Sequence, residues 1–129
     1  IIGGNFACFS SLLGTEYAPS FTGNILILES FMWSKGKLHQ ELMSLKLQGI
    51  FNQISGMIIG YCIGTDESKL GDKQSMTEHL TEVTAGYELP IMQIGEIGHN
   101  VDNLMLPIGA KATMDATNLT FSIDEEIVR

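Results

Sequence analysis

Positive charge is scarce in this sequence: its 129 residues hold seven Lys and Arg against fifteen Asp and Glu, a formal net charge of −8. Nucleic-acid binding needs clustered cations to neutralise phosphates, so that partner is excluded. Long apolar runs are missing too. The longest, Met57 to Ile63, is broken by Gly60 and falls short of the roughly 20 residues that span a bilayer, so no membrane partner is expected. Cysteine is limited to Cys8 and Cys62, too isolated for a disulfide framework. Both read as small buried hydrophobes with no basic neighbour to activate a thiol, and a cytoplasmic location is the expectation. The spacings HxH, HExxH and CxxC do not occur, and Asp66, Glu67 and Asp72 lack the glycine and closing Glu of a calcium loop. GxGxxG and Walker sequences are also absent, so no metal or other cofactor is expected. The first residues, Ile1-Ile2-Gly3-Gly4-Asn5, include no Met and no signal-peptide pattern, which points to a piece of a longer chain.

What is present fits one domain over residues 1–129, with 44% hydrophobic residues to build a core. Gly3-Gly4 reads as a turn, after which Asn5 caps a helix bearing Phe6, Phe9, Leu12 and Leu13 that closes at Gly14. Ile25 to Leu28 is a continuous apolar run, as in a strand buried on both faces. Leu38, Leu42 and Leu45 mark a helix from about Lys37 to Gln48, stopped by Gly49. Ile54 to Ile63 reads as a second strand leading into a polar loop, residues 64–73, expected to be mobile. Ser75-Met76-Thr77-Glu78 has capping-box spacing and opens a helix with Met76, Leu80 and Val83 on one side. Pro90 begins a strand ending near His99. Leu104–Ile108, Lys111–Asp115 and Leu119–Ile123 read as short extended segments, the last two pairing as a hairpin. Alternating strands and helices predict parallel crossovers, hence an α/β fold with a mixed sheet and a C-terminal antiparallel hairpin.

Two residues carry the candidate chemistry. Glu29 follows the Ile25–Leu28 run, and His99 follows Ile91-Met92-Gln93-Ile94 through a Gly95-Glu96-Ile97-Gly98 turn. In open α/β sheets the carboxyl ends of strands line the ligand crevice, so an acid and an imidazole there point to hydrolysis. No convincing nucleophile accompanies them. Trp33, just after Glu29, is a candidate to stack on a substrate ring. His39 and His79 fall in helical patterns among polar neighbours and read as surface residues, and the Asn118-Leu119-Thr120 sequon reads as a chance match. A different class stays open: a non-catalytic swivelling module that carries a ligand, for instance as phosphate on His99, or a plain interaction domain. The Ser and Thr that usually flank a phosphorylated histidine are absent beside Gly98-His99-Asn100.

An ordered set of motifs adds a resemblance. Gly3-Gly4-Asn5, Leu13-Gly14-Thr15-x-Tyr17-x-Pro19 and Gly23-Asn24-Ile25-Leu26-Ile27-Leu28-Glu29 come first. Leu45-x-x-x-Gly49-Ile50-Phe51, Ile54-x-Gly56-Met57-Ile58-Ile59-Gly60, Pro90-Ile91, Gly98-His99 and Leu106-Pro107-Ile108-Gly109 follow. Together they resemble the C-terminal half of the L,D-carboxypeptidase and microcin C immunity serine peptidases. The resemblance implies a swivelling β/β/α domain that supplies the Glu and His of a Ser-His-Glu triad, here Glu29 and His99. It also implies a partner, an N-terminal domain of the same polypeptide bearing the serine, without which this chain is inactive, and it leaves a homodimer open. Substrates would be cytoplasmic murein tetrapeptides ending in D-alanine or, in the microcin branch, an amide joining an aminoacyl group to a nucleotide-like portion. The stretch from Ser44 to Gly56 and the Asp115–Asn118 turn look closer to the microcin branch, and Leu38-His39-Gln40-Glu41-Leu42 lacks an Arg common among the carboxypeptidases.

Overall fold

Four short apolar runs pair side by side as parallel strands in the order β1-β2-β3-β4, so each strand lies beside its neighbour in sequence. The computed structural model describes residues 1–64 and 76–127, apart from the side chains of Met76 and Thr77. The elements in chain order are β1 (Ile2–Asn5), α1 (Phe6–Ser10), β2 (Ile25–Glu29), α2 (Lys35–Leu47), β3 (Gly56–Tyr61), α3 (Met76–Val83), β4 (Ile91–Gly98), β5 (Ala112–Asp115) and β6 (Thr120–Ile123). A 3₁₀ turn spans Ile50–Asn52. No described helix is long and apolar enough to cross a membrane.

The central strands are apolar on both faces, and each face has its own cover. Leu26 and Leu28 of β2, with Met57 and Ile59 of β3, pack against Phe6, Leu38, Leu42, Leu45, Leu80 and Val83 on the helical side. Ile25, Ile27, Ile58 and Ile97 face the other way and pack with Met114, Phe121 and Ile123 of the β5–β6 hairpin. Period-two alternation of side chains produces this division. The result is a three-layer β/β/α arrangement: hairpin, parallel sheet, helices. The predicted α/β class with parallel crossovers and a closing antiparallel hairpin therefore forms. The hairpin is a sheet of its own rather than part of one mixed sheet, because the second apolar face of the parallel sheet needs a lid.

Ser34 caps α2 by accepting a hydrogen bond from the Lys37 backbone N–H, and Gly49 ends it in the left-handed region, as its sequence position predicts. Near the other end of α2, Lys46 donates to the Val83 carbonyl at 2.7 Å and ties α2 to α3. The hairpin tip is closed by Asp115, which accepts from the backbone N–H groups of Thr117 and Asn118 and from the Asn118 amide. The Asn118 backbone and then its side chain hold the Asp115 carboxyl below the ordinary range.

Several expectations are corrected. Gly3-Gly4 is part of strand β1, not a turn; a Cβ on Gly3 would lie 1.9 Å from the Ile27 carbonyl oxygen, so glycine permits the close pairing that its low strand propensity disguises. The first helix ends at Ser10, with Leu12 and Leu13 in the turns beyond it. Cys8 is exposed because it points away from the side on which Phe6 and Phe9 are buried, whereas Cys62 is buried. Residues 104–108 form no strand, and Gly95–Gly98 belongs to β4 rather than to a turn. The capping box and the polar loop from residue 65 onward lie outside the described residues.

His79 is buried rather than on the surface. Its Nε2 lies 3.1 Å from Nδ1 of His39 across the α2–α3 contact. Burial first, then the neighbouring His39 and Lys35, push the His79 pKa down against an opposing pull from Glu82. An unfolded chain takes up a proton near the ordinary histidine pKa of 6.5, while folded His79 resists it until lower pH. Stability is therefore expected to fall as pH drops below 6.5 toward the folded pKa. Urea midpoints at pH 7.5 and 5.5 should diverge more in wild type than in His79→Leu; equal pH dependence in the two would contradict this.

Candidate active site

Glu29 is the last residue of β2 and Asn5 the last of β1, and the two are paired in register across the sheet. Adjacent parallel strands aim matching residues to the same side, so the two side chains meet at the carboxyl ends of the strands. Asn5 Nδ2 donates to Glu29 Oε1 at 2.8 Å, while Asn5 Oδ1 accepts from the Cys8 backbone N–H at 3.2 Å as the cap of α1. Only one orientation of the amide satisfies both bonds. Asn5 thus anchors the carboxylate to a helix start. The sequence shows the cap but not the carboxylate contact, which depends on strand β1.

His99 arrives from β4 by an irregular route. From Ile59 to Tyr61 on β3 the pairing advances from Gln93 to Gly98 on β4, so three residues run opposite six and the strand bulges. A bulge bends its strand and re-aims the side chains beyond it. Gly98 has φ 144°, which L side chains rarely adopt, and Asn103 grips its N–H at 2.8 Å and its carbonyl at 2.7 Å. Asn100 follows in the left-handed region at φ 58°. His99 Nδ1 then lies 2.8 Å from Glu29 Oε2.

Both carboxylate oxygens are therefore engaged, one by Asn5 and one by His99. The Glu29 side chain is 9% exposed and that of His99 46%, so the acid is hidden behind an accessible ring. A carboxylate can only accept, which makes His99 Nδ1–H the donor and leaves Nε2 to carry the basic lone pair. The tilted ring of Phe31 lies over the imidazole, with centroids 4.7 Å apart. Phe31 carries no local sequence signal beyond being an aromatic two residues after Glu29. Trp33 sits elsewhere: its ring packs on Phe6 at 5.2 Å and lies under Lys37 Nζ.

Beside the imidazole opens a cleft of about 510 Å³, lined by Asn5, Glu29, His99, Asn100 and Asn103 and by the apolar side chains of Ile97, Leu104, Leu106 and Ile108. Its described lining includes no Ser, Thr or Cys and no Lys or Arg. The arrangement can hold an imidazole in the tautomer that accepts a proton through Nε2. The group giving up that proton must come from outside this lining.

The family model for the LD-carboxypeptidase C-terminal domain matches residues 1–114. This chain belongs to that family. Among curated relatives of this chain, the microcin C7 self-immunity protein MccF of Escherichia coli is 32% identical over 127 residues, covering 98% of the chain and 36% of MccF. A probable murein peptide carboxypeptidase of Bacillus subtilis is 27% identical over 128 residues, covering 96% of the chain and 39% of that protein. The chain thus spans well under half the length of either relative. In three dimensions it is similar to MccF in complex with glutamyl sulfamoyl guanosine, with a TM-score of 0.85 and 28% identity, covering 99% of this chain and 38% of that one.

Asn5→Ala is expected to remove both the cap and one bond to the Glu29 carboxylate, lowering stability by roughly 2 to 4 kcal/mol in urea unfolding. Asn5→Asp keeps the cap but sets a second carboxylate against Glu29. Its deficit should be larger at pH 7 and narrow as acid lets the two share a proton. A deficit that ignores pH would contradict the contact.

Proposed function

We propose that this chain is the C-terminal domain of a longer serine peptidase, with Glu29 and His99 as the acid and base of a triad completed by a serine in an N-terminal domain of the same polypeptide. The observation that carries this reading is the 2.8 Å contact between His99 Nδ1 and Glu29 Oε2, with the carboxylate buried and the ring open to a cleft. In the mechanism, His99 Nε2 takes the proton of the incoming serine as its oxygen attacks the scissile carbonyl. The imidazolium so formed is stabilised by Glu29 and returns the proton to the leaving nitrogen. Water then repeats the cycle on the acyl-enzyme, with His99 as base again. In this reading the chain by itself supplies the base and not the serine, and it is expected to be inactive.

For the substrate, the likeness to MccF in identity and in shape favours an amide between an aminoacyl group and a nucleotide-like portion. The likeness to a murein peptide carboxypeptidase supports a second reading, removal of the terminal D-alanine of a murein tetrapeptide. A cytoplasmic location goes with either substrate in this reading. The test offers the full-length protein each substrate separately. Release of the amino acid from the aminoacyl-nucleotide amide, at least tenfold faster than D-alanine from the tetrapeptide, is the expected result. The reverse order would assign the murein branch, and hydrolysis of neither would overturn the proposal.

A further inference from the structure

We infer that Phe31 is a positioning residue that fixes the plane of the His99 imidazole, an inference that rests on His99 being the base. One hydrogen bond from Nδ1 to Glu29 sets the ring's in-plane direction but leaves it free to roll about the line joining Nδ1 and Oε2. A flat neighbour against the ring face removes that freedom. Phe31 is such a neighbour, with its centroid 4.7 Å from the imidazole and the planes 30° apart. The hydrogen bond and the ring contact together restrain the direction in which Nε2 points.

The loop that carries Phe31 is held from both sides. Ser30 before it is 1% exposed, and Trp33 after it is seated on Phe6. Met32 between them is in the left-handed region at φ 55°, a conformation a non-glycine residue keeps only when its surroundings enforce it. Backing the loop is Gly64, where an added Cβ would come 2.9 Å from the Trp33 carbonyl oxygen. Trp33 is thus the anchor and Phe31 the residue displayed. Phe31 remains 46% exposed, so burial gains little there, and its main partner is the imidazole. When His99 takes the serine proton, the Phe31 face also meets a cation, an attraction that grows as the reaction proceeds. The contribution therefore belongs to kcat rather than KM.

The test compares Phe31→Leu, Phe31→Tyr and Glu29→Gln in the full-length protein, together with nitrogen-15 NMR of its histidines. Phe31→Leu is expected to lower kcat roughly tenfold with KM changed less than twofold, and Phe31→Tyr to restore kcat to within about threefold of wild type. In the NMR arm, Phe31→Leu should shift the His99 ring protons downfield as the ring current is lost and mix Nε2–H tautomer into the Nδ1–H form, with His39 and His79 unchanged. Unchanged kcat and tautomer in Phe31→Leu, beside a large loss in Glu29→Gln, would overturn the role of Phe31 alone. A raised KM at constant kcat would also overturn it, marking Phe31 as a substrate contact. No loss in Glu29→Gln would instead overturn the triad reading on which the inference rests.

Discussion

Glu29→Gln in the full-length protein is expected to lower kcat by roughly 10⁴-fold while KM changes little, the scale seen when a triad acid becomes an amide. Glu29 now accepts from Asn5 on one oxygen and from His99 on the other. Glutamine has one carbonyl oxygen for these two donors. If that oxygen stays with Asn5, the amide NH₂ faces His99 Nδ1 and favours the tautomer with the proton on Nε2, which cannot accept from a serine. If the amide turns over, its NH₂ meets the Asn5 NH₂ and a buried donor is left unsatisfied, at a stability cost of about 1 to 3 kcal/mol. The first arrangement removes the base; the second keeps the Nδ1–H tautomer at a cost in stability, and both lose the negative charge that stabilises the imidazolium. Circular dichroism and urea unfolding separate the two outcomes, and a folded variant with more than a tenth of wild-type kcat would contradict the assignment.

Gly60→Ala is expected to damage stability and activity together. Gly60 lies in β3 between the strand that ends at Glu29 and the strand that leads to His99. A Cβ there would come 2.3 Å from the Ile97 carbonyl oxygen and 2.9 Å from Glu29 Cβ. The first of these is backbone, so the strands must move apart. Overpacking of this kind costs about 1 to 3 kcal/mol, and a backbone clash belongs at the upper end. The displacement falls on the two neighbours of the acid and imidazole, so kcat should drop even where the variant is folded. Gly36→Ala is the control: it sits in the first turn of α2, its Cβ would meet nothing within 4 Å, and it should stabilise by about 0.5 kcal/mol. A Gly60→Ala chain that unfolds at the wild-type urea concentration would show that the sheet gives way more easily than these distances allow.

The contrast between these glycines also explains what could be read from the sequence. The run Ile25 to Leu28 and the spacing of Leu38, Leu42 and Leu45 carry strong local signals because burial on two faces and on one face dictates their periodicity. Pro90 and the hairpin segments gave usable boundaries for the same local reasons. Strand β1 was hidden because its Gly3 serves a neighbour, the backbone of β2, and nothing local marks Gly3-Gly4 as strand. The bulge in β4 was likewise hidden: Gly95 and Gly98 look like a turn until the pairing with Tyr61 is known. His79 looked like a surface residue because its partner, His39, is 40 positions away. At the site, the ends of two apolar runs marked Glu29 and His99. Asn5 and Phe31 were invisible as companions, since strand register and the path of a loop bring them in.

The central claim is that His99, oriented by Glu29, activates a serine outside this domain, and labelling of the full-length protein with a fluorophosphonate probe tests it most directly. Such a probe reacts only with a serine whose proton is being taken. The account predicts one labelled serine upstream of residue 1 in wild type and labelling at least a hundredfold slower in His99→Ala and Glu29→Gln. No labelling of wild type, or equal rates in wild type and His99→Ala, would contradict it.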